Sequence, residues 1–200
     1  MNKTLCFRAA VLVLVFALTA CQSDSPDASE SPAPTPTESS VAEVEYDTCT
    51  NTVSGYSIDY PENWTISTGE HACRWADQEH FVVAPGTEGP STAIMVFDSP
   101  DEFDMVVNGT FDDLFYRTNL REDTMVAGHR AVKFDVTATG EGLGPDGSPS
   151  YGYVIDRDGK GFVVSTEQLP GDTGYEEDKR ALDEAVQTLK FLPKPGASKT

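Results

Sequence analysis

The chain has 200 residues, with 14 Lys and Arg against 33 Asp and Glu, a formal net charge of −19 at pH 7. So acidic a surface is repelled by nucleic acid and by anionic lipid, which excludes a nucleic-acid partner and makes any electrostatic partner a cationic one. Solubility in an anionic or salty envelope accounts for the same charge without any partner.

Lys3 and Arg8 precede an apolar run from Ala9 to Ala17 (AAVLVLVFA), the anatomy of a secretory signal peptide. The run is too short for a transmembrane helix, which takes roughly 20 apolar residues. It ends in Leu18-Thr19-Ala20-Cys21, which resembles the lipobox of bacterial lipoproteins. The resemblance implies cleavage before Cys21, a diacylglyceryl group on its thiol, and anchorage to the extracytoplasmic face of the cell membrane. Two acyl chains anchor stably where one binds only marginally. Residues 1–20 are therefore expected to be a lipoprotein signal peptide. They hold two basic residues and no acid, so the mature chain carries 12 against 33, a net charge of −21.

Residues 21–46 comprise that cysteine and a stretch with Pro26, Pro32, Pro34 and Pro36 among Ser, Thr, Asp and Glu. With few large apolar side chains it cannot bury enough surface to fold, and it reads as a disordered tether. Extended, it reaches roughly 75 Å.

Cys6 leaves with the signal peptide and Cys21 is acylated, so Cys49 and Cys73 remain. Outside the cytoplasm two remaining cysteines pair, and a Cys49–Cys73 disulfide is expected. The chain-entropy model gives such a bridge about 3.5 kcal/mol.

Residues 47–193 suit one globular domain, and 194–200 a loose tail. Tyr56–Tyr60 (YSIDY) alternates as a strand, and the Pro61-Glu62-Asn63 turn leads to a second at Trp64–Ser67. His80–Ala84 and Ser91–Phe97 are further strand candidates. Ser99-Pro100-Asp101-Glu102 has the form of a capped helix start, with Phe103, Val106 and Val107 following at helical spacing. Asn108-Gly109 ends or kinks that helix, and Thr110-Phe111-Asp112-Asp113 offers another short one. Arg130–Thr137 reads as a strand, although Ala131 breaks its alternation. Tyr151–Ile155 and Phe162–Thr166 flank a polar, glycine-containing loop and predict a hairpin. Gly140–Pro149 (GEGLGPDGSP) is a loop, and such loops often carry binding. Glu176, Glu177 and Asp178 open a last helix, whose buried face is Leu182, Ala185, Val186 and Leu189. Hairpins with few helices point to an α+β fold.

The run Gly55-Tyr56-Ser57-Ile58-Asp59-Tyr60-Pro61-Glu62-Asn63-Trp64 resembles the opening hairpin of PsbP-like domains. So does the closing helix Leu182–Phe191, and Val126-Ala127-Gly128-His129-Arg130-Ala131-Val132-Lys133 is similar to a G-x-x-A-V strand entry in those domains. The resemblance implies an α/β/α sandwich with a central antiparallel sheet. In layout the chain is similar to the actinobacterial lipoproteins of the mycobacterial LpqN and LpqT type, whose function is largely unassigned. Members of the fold are generally binding or scaffolding modules without shared catalytic residues, so the resemblance implies no catalytic residue and no cofactor here.

The chemistry-bearing clusters each have a plainer reading. His71, Cys73 and His80 could suggest a metal, but zinc needs about four placed ligands and Cys73 is assigned to Cys49. Asp156, Asp158, Gly161 and Glu167 match positions of a calcium loop, yet Lys160 puts a cation where an oxygen belongs and the flanks read as strands. Asp98, Asp101, Glu102 and Asp104 suit helix capping and a solvated face. Gly89-Pro90-Ser91 is no nucleophile elbow. Trp64 and Trp75 are expected in the core. The expectation is a membrane-anchored, non-enzymatic binding or accessory module with an envelope protein as its partner and no metal. An envelope hydrolase whose site assembles from residues distant in sequence is the alternative.

Overall fold

The computed structural model describes residues 44–81, 93–142, 144–168 and 174–193. The first strands, β1 (Tyr46–Asn51) and β2 (Tyr56–Pro61), pair antiparallel, and β10 (Lys190–Phe191) adds to β2. The other seven form an antiparallel sheet in the order β3-β4-β5-β9-β8-β7-β6. They are β3 (Thr65–Ile66), β4 (Trp75–Asp77), β5 (Ile94–Glu102), β6 (Tyr116–Val126), β7 (His129–Ala138), β8 (Pro149–Arg157) and β9 (Lys160–Glu167). Helix α1 covers Phe103–Thr110 and α2 covers Tyr175–Thr188. The fold is α+β, a mostly antiparallel sheet with two helices. No described helix is long and apolar enough to cross a membrane.

Two hairpins of the large sheet turn through residues in the left-handed region. Ala127 and Gly128 (φ 51° and 81°) join β6 to β7, and Asp158 and Gly159 (φ 56° and 84°) join β8 to β9. Two consecutive positive φ values are what a two-residue turn needs to match strand twist.

The interrupted alternation at Ala131 has a simple cause: both faces of β7 are covered. Val132, Phe134 and Val136 cluster with Val154, Val163 and the α1 residues Phe103 and Val107. Ala131 instead joins Ile155, Phe162, Val164 and the α2 residues Leu182, Ala185 and Val186. Neighbouring side chains on a strand point to opposite faces, so α1 and α2 pack on opposite sides of these strands.

The sequence misplaces several elements. β5 runs on through Ser99-Pro100 to Glu102, and the helix starts only at Phe103. Its pairing with β9 shifts register between Asp98 and Glu102, and a bulge is one of the few places a strand accepts proline. Ser99 Oγ accepts from the Asp101 amide at 3.2 Å and caps no helix. Residues 111–115 form turns, not a second helix. His80 and Phe81 lie in no strand, and residues 82–92, with Gly89-Pro90-Ser91, lie outside the described residues. β6 escapes the sequence entirely. It is the sheet's edge, and all of its residues except Val126 are exposed or half-buried, so it carries no apolar period.

Candidate functional site

The Cys49–Cys73 disulfide is present, with Cα atoms 5.7 Å apart. Cys73 sits in the left-handed region at φ 63°, and its carbonyl accepts the hydroxyls of Tyr56 (3.0 Å) and Tyr60 (2.8 Å). Buried Asn51 donates to the Ala72 carbonyl at 2.7 Å. Ser67 Oγ donates to the His71 carbonyl and accepts from the amides of Arg74 and Trp75. Side chains thus take the role of a sheet ladder and fix the 67–75 segment to the first hairpin.

Where that hairpin meets α2 lies an open groove of about 760 Å³. A turn closed by the Trp64 amide on the Pro61 carbonyl (3.0 Å) presents the indole to it. Pro61 and Ala181 are buried and supply its apolar floor. Tyr46, 36 % exposed, stands at the rim and donates its hydroxyl to Glu184. Burial, then the hydrogen bond and charge of Glu184, push that phenol up to about 12. Glu45, Glu62, Glu177 and Arg180 complete the charged rim and are exposed. Trp64 is therefore a half-buried groove residue packed against the core, not the core residue its size suggested, whereas Trp75 is buried as expected.

A second polar cluster joins α2 to the sheet. Tyr151 donates to both oxygens of Asp183 (2.8 and 2.7 Å), and Tyr153 donates to one at 2.7 Å. Lys133 Nζ lies 3.1 Å from the same carboxylate, and Lys179 lies 3.0 Å from Asp135. Lys133 and Asp135 stand opposite Tyr153 and Tyr151 on the neighbouring strand. Burial foremost, then the hydrogen bond to Asp183, holds both phenols well above their ordinary value. They stay neutral donors across the physiological range, with both Asp183 oxygens engaged. The cluster clamps α2 onto β7 and β8.

The sites suggested by the sequence are dispersed. Cys73 is in the disulfide, His71 packs edge-on against Trp75 at 5.2 Å, and His80 is exposed. Asp156 accepts from the Gly159 amide at 2.8 Å within its own turn and pairs with Arg130. Glu167 lies at the far end of β9, opposite Ser150, roughly 20 Å along the strand at ~3.3 Å per residue. Asp156 and Glu167 cannot share an ion. Asp98, Glu102 and Asp104 pair with Arg157, Lys160 and Arg130. Among the described residues no three His, Cys, Asp or Glu converge to hold a metal. In the Gly140–Pro149 loop, the Gly147 amide donates to the Ala138 carbonyl and Asp146 pairs with Arg117.

The groove and the clamp went unread in the sequence. Tyr46 is the last residue of the segment assigned to the tether, and Asp183, on the last helix, is given no role in the sequence reading. The usable signal was Lys133-x-Asp135, two charges on one face of a strand with covered faces.

No family model and no curated protein matches the sequence. Among solved structures, the chain is similar to cyanobacterial PsbP (CyanoP) from Synechocystis, with 12 % identity and a TM-score of 0.41, covering 76 % of this chain and 95 % of that one. It is also similar to PA94, a protein of unknown function from Pseudomonas aeruginosa, with 16 % identity and a TM-score of 0.35, covering 66 % and 99 %.

Proposed function

We propose that this protein is a lipoprotein of the extracytoplasmic membrane face, held by lipid on Cys21, whose PsbP-like α/β/α domain is a non-enzymatic protein-binding module. The lipobox-like Leu18–Cys21 and the Cys49–Cys73 bridge support the compartment, since structural disulfides belong to oxidising environments. The helices on opposite faces of the central strands support the layered fold.

The groove carries the binding role. Trp, Tyr and Arg are the residue types that dominate the energetics of protein interfaces, and Trp64, Tyr46 and Arg180 stand together around an apolar floor. The aromatic anchors bury area against a partner, while Arg180 and the carboxylates around them give orientation.

The test is recovery of a bound envelope protein with the native lipoprotein and with Trp64→Ala. A protein retained by the former and lost with the latter supports the module. Recovery of the same proteins at the same yield by both removes the groove from the function. Retention in the membrane after Cys21→Ala would refute the anchor.

A further inference from the structure

The groove has a charge balance that identifies its occupant. Glu45, Glu62, Glu177 and Glu184 line it, with Arg180 as the one cation among the described residues. Seven acids elsewhere, Asp98, Glu102, Asp104, Asp135, Asp146, Asp156 and Asp183, each lie within 3.2 Å of a Lys or Arg nitrogen. None of the four groove glutamates is in an ion pair among the described residues. Nor do they converge as a metal site would, so they suit charges spread along a chain better than one ion.

Resting on the protein-binding reading above, we propose that the groove takes an extended cationic segment of a protein partner. Apolar or prolyl side chains of the segment lie on Trp64, Pro61 and Ala181. Its Lys or Arg side chains meet Glu62 on one wall and Glu177 on the other. The acidic surface as a whole draws such a segment in and rejects anionic ones. An uncharged ligand would leave these carboxylates without a countercharge and gain nothing from them.

The experiment pans a display library of random twelve-residue peptides on the full-length lipoprotein in detergent, with counter-selection on Trp64→Ala. Selected peptides are then titrated against wild type and against the double variant Glu62→Gln, Glu177→Gln. Both glutamates are exposed, and their side chains make no bond with the described residues, so the variant is expected to fold, which circular dichroism checks. The expected result is enrichment in Lys and Arg, with binding about fivefold weaker in the double variant, as for two surface charge pairs, and further weakened by salt. Peptides that depend on Trp64 but are neutral or acidic, or are indifferent to the double variant, overturn the cationic partner and leave the groove standing. If no selected peptide depends on Trp64, the binding groove falls as well.

Discussion

Replacing Asp183 by Asn tests whether the tyrosine clamp holds α2 to the sheet. In the native protein one carboxylate takes hydrogen bonds from Tyr151 and Tyr153 at 2.7–2.8 Å and lies 3.1 Å from Lys133. A hydrogen bond to a charged group is worth about 1.5–3 kcal/mol and one to a neutral group about 0.5–1.5. Two such bonds therefore lose roughly 2 kcal/mol between them, because the amide keeps the shape and some accepting capacity. Lys133 adds at most about 0.5 kcal/mol, since Asp183 is partly open to solvent. With a urea slope of about 1–3 kcal/mol per molar for a domain of this size, the midpoint falls by about 1 M. The second readout is tyrosinate absorbance on alkaline titration. Burial is the first cause of the raised phenols and Asp183 the second, so the variant brings two tyrosines part of the way down towards ordinary values. An unchanged urea midpoint with an unchanged titration would refute the clamp.

Reduction of Cys49–Cys73, or replacement of both by Ser, is expected to lower unfolding free energy by about 3.5 kcal/mol for a separation of 24 residues; comparing urea midpoints with and without reductant measures it. Tyr151, Tyr153 and Tyr175 all have raised folded-state values. Their contribution is complete below the unfolded phenol value of about 10 and is lost as pH rises above it towards the folded values. Melting temperature should hold to about pH 9.5 and then fall, and a profile flat up to pH 11 or so would contradict this. Gly152→Ala places a Cβ 2.2 Å from the Val164 carbonyl oxygen and 2.8 Å from Ser165 Cα, forcing β8 from β9 at a cost of about 1–3 kcal/mol. Gly109→Ala, in α1 with nothing within 4 Å of the new Cβ, should stabilise by about 0.5 kcal/mol. Thermal melts of the pair separate the two effects.

The legible parts of the fold are those where local pattern and tertiary role agree. Leu182, Ala185 and Val186 mark one buried side of α2 because that helix has one wet face, whereas Leu189, read with them, is buried just past the helix end and leads into β10. The hairpin around Asp158-Gly159 could be read because its turn must take positive φ. β6 could not be read, since an edge strand that is mostly wet keeps no apolar period. The start at Ser99-Pro100 misled because a bulge and a helix N-terminus both accept proline. The disulfide followed from compartment and cysteine count. The groove depends on Tyr46, Trp64 and Arg180, which are 134 residues apart at the extremes and meet only when α2 docks beside β2. No local pattern encodes that meeting.

The central claim is the proposal that a partner protein sits in this groove. A photo-crosslinking amino acid at Gln78, exposed beside the groove, tests it directly, with Val53, 83 % exposed and not among the groove residues, as control. The account predicts a discrete cross-linked protein from living cells at Gln78, absent at Val53 and lost when Trp64→Ala is added. Equal labelling from both positions, or none from Gln78, would contradict it.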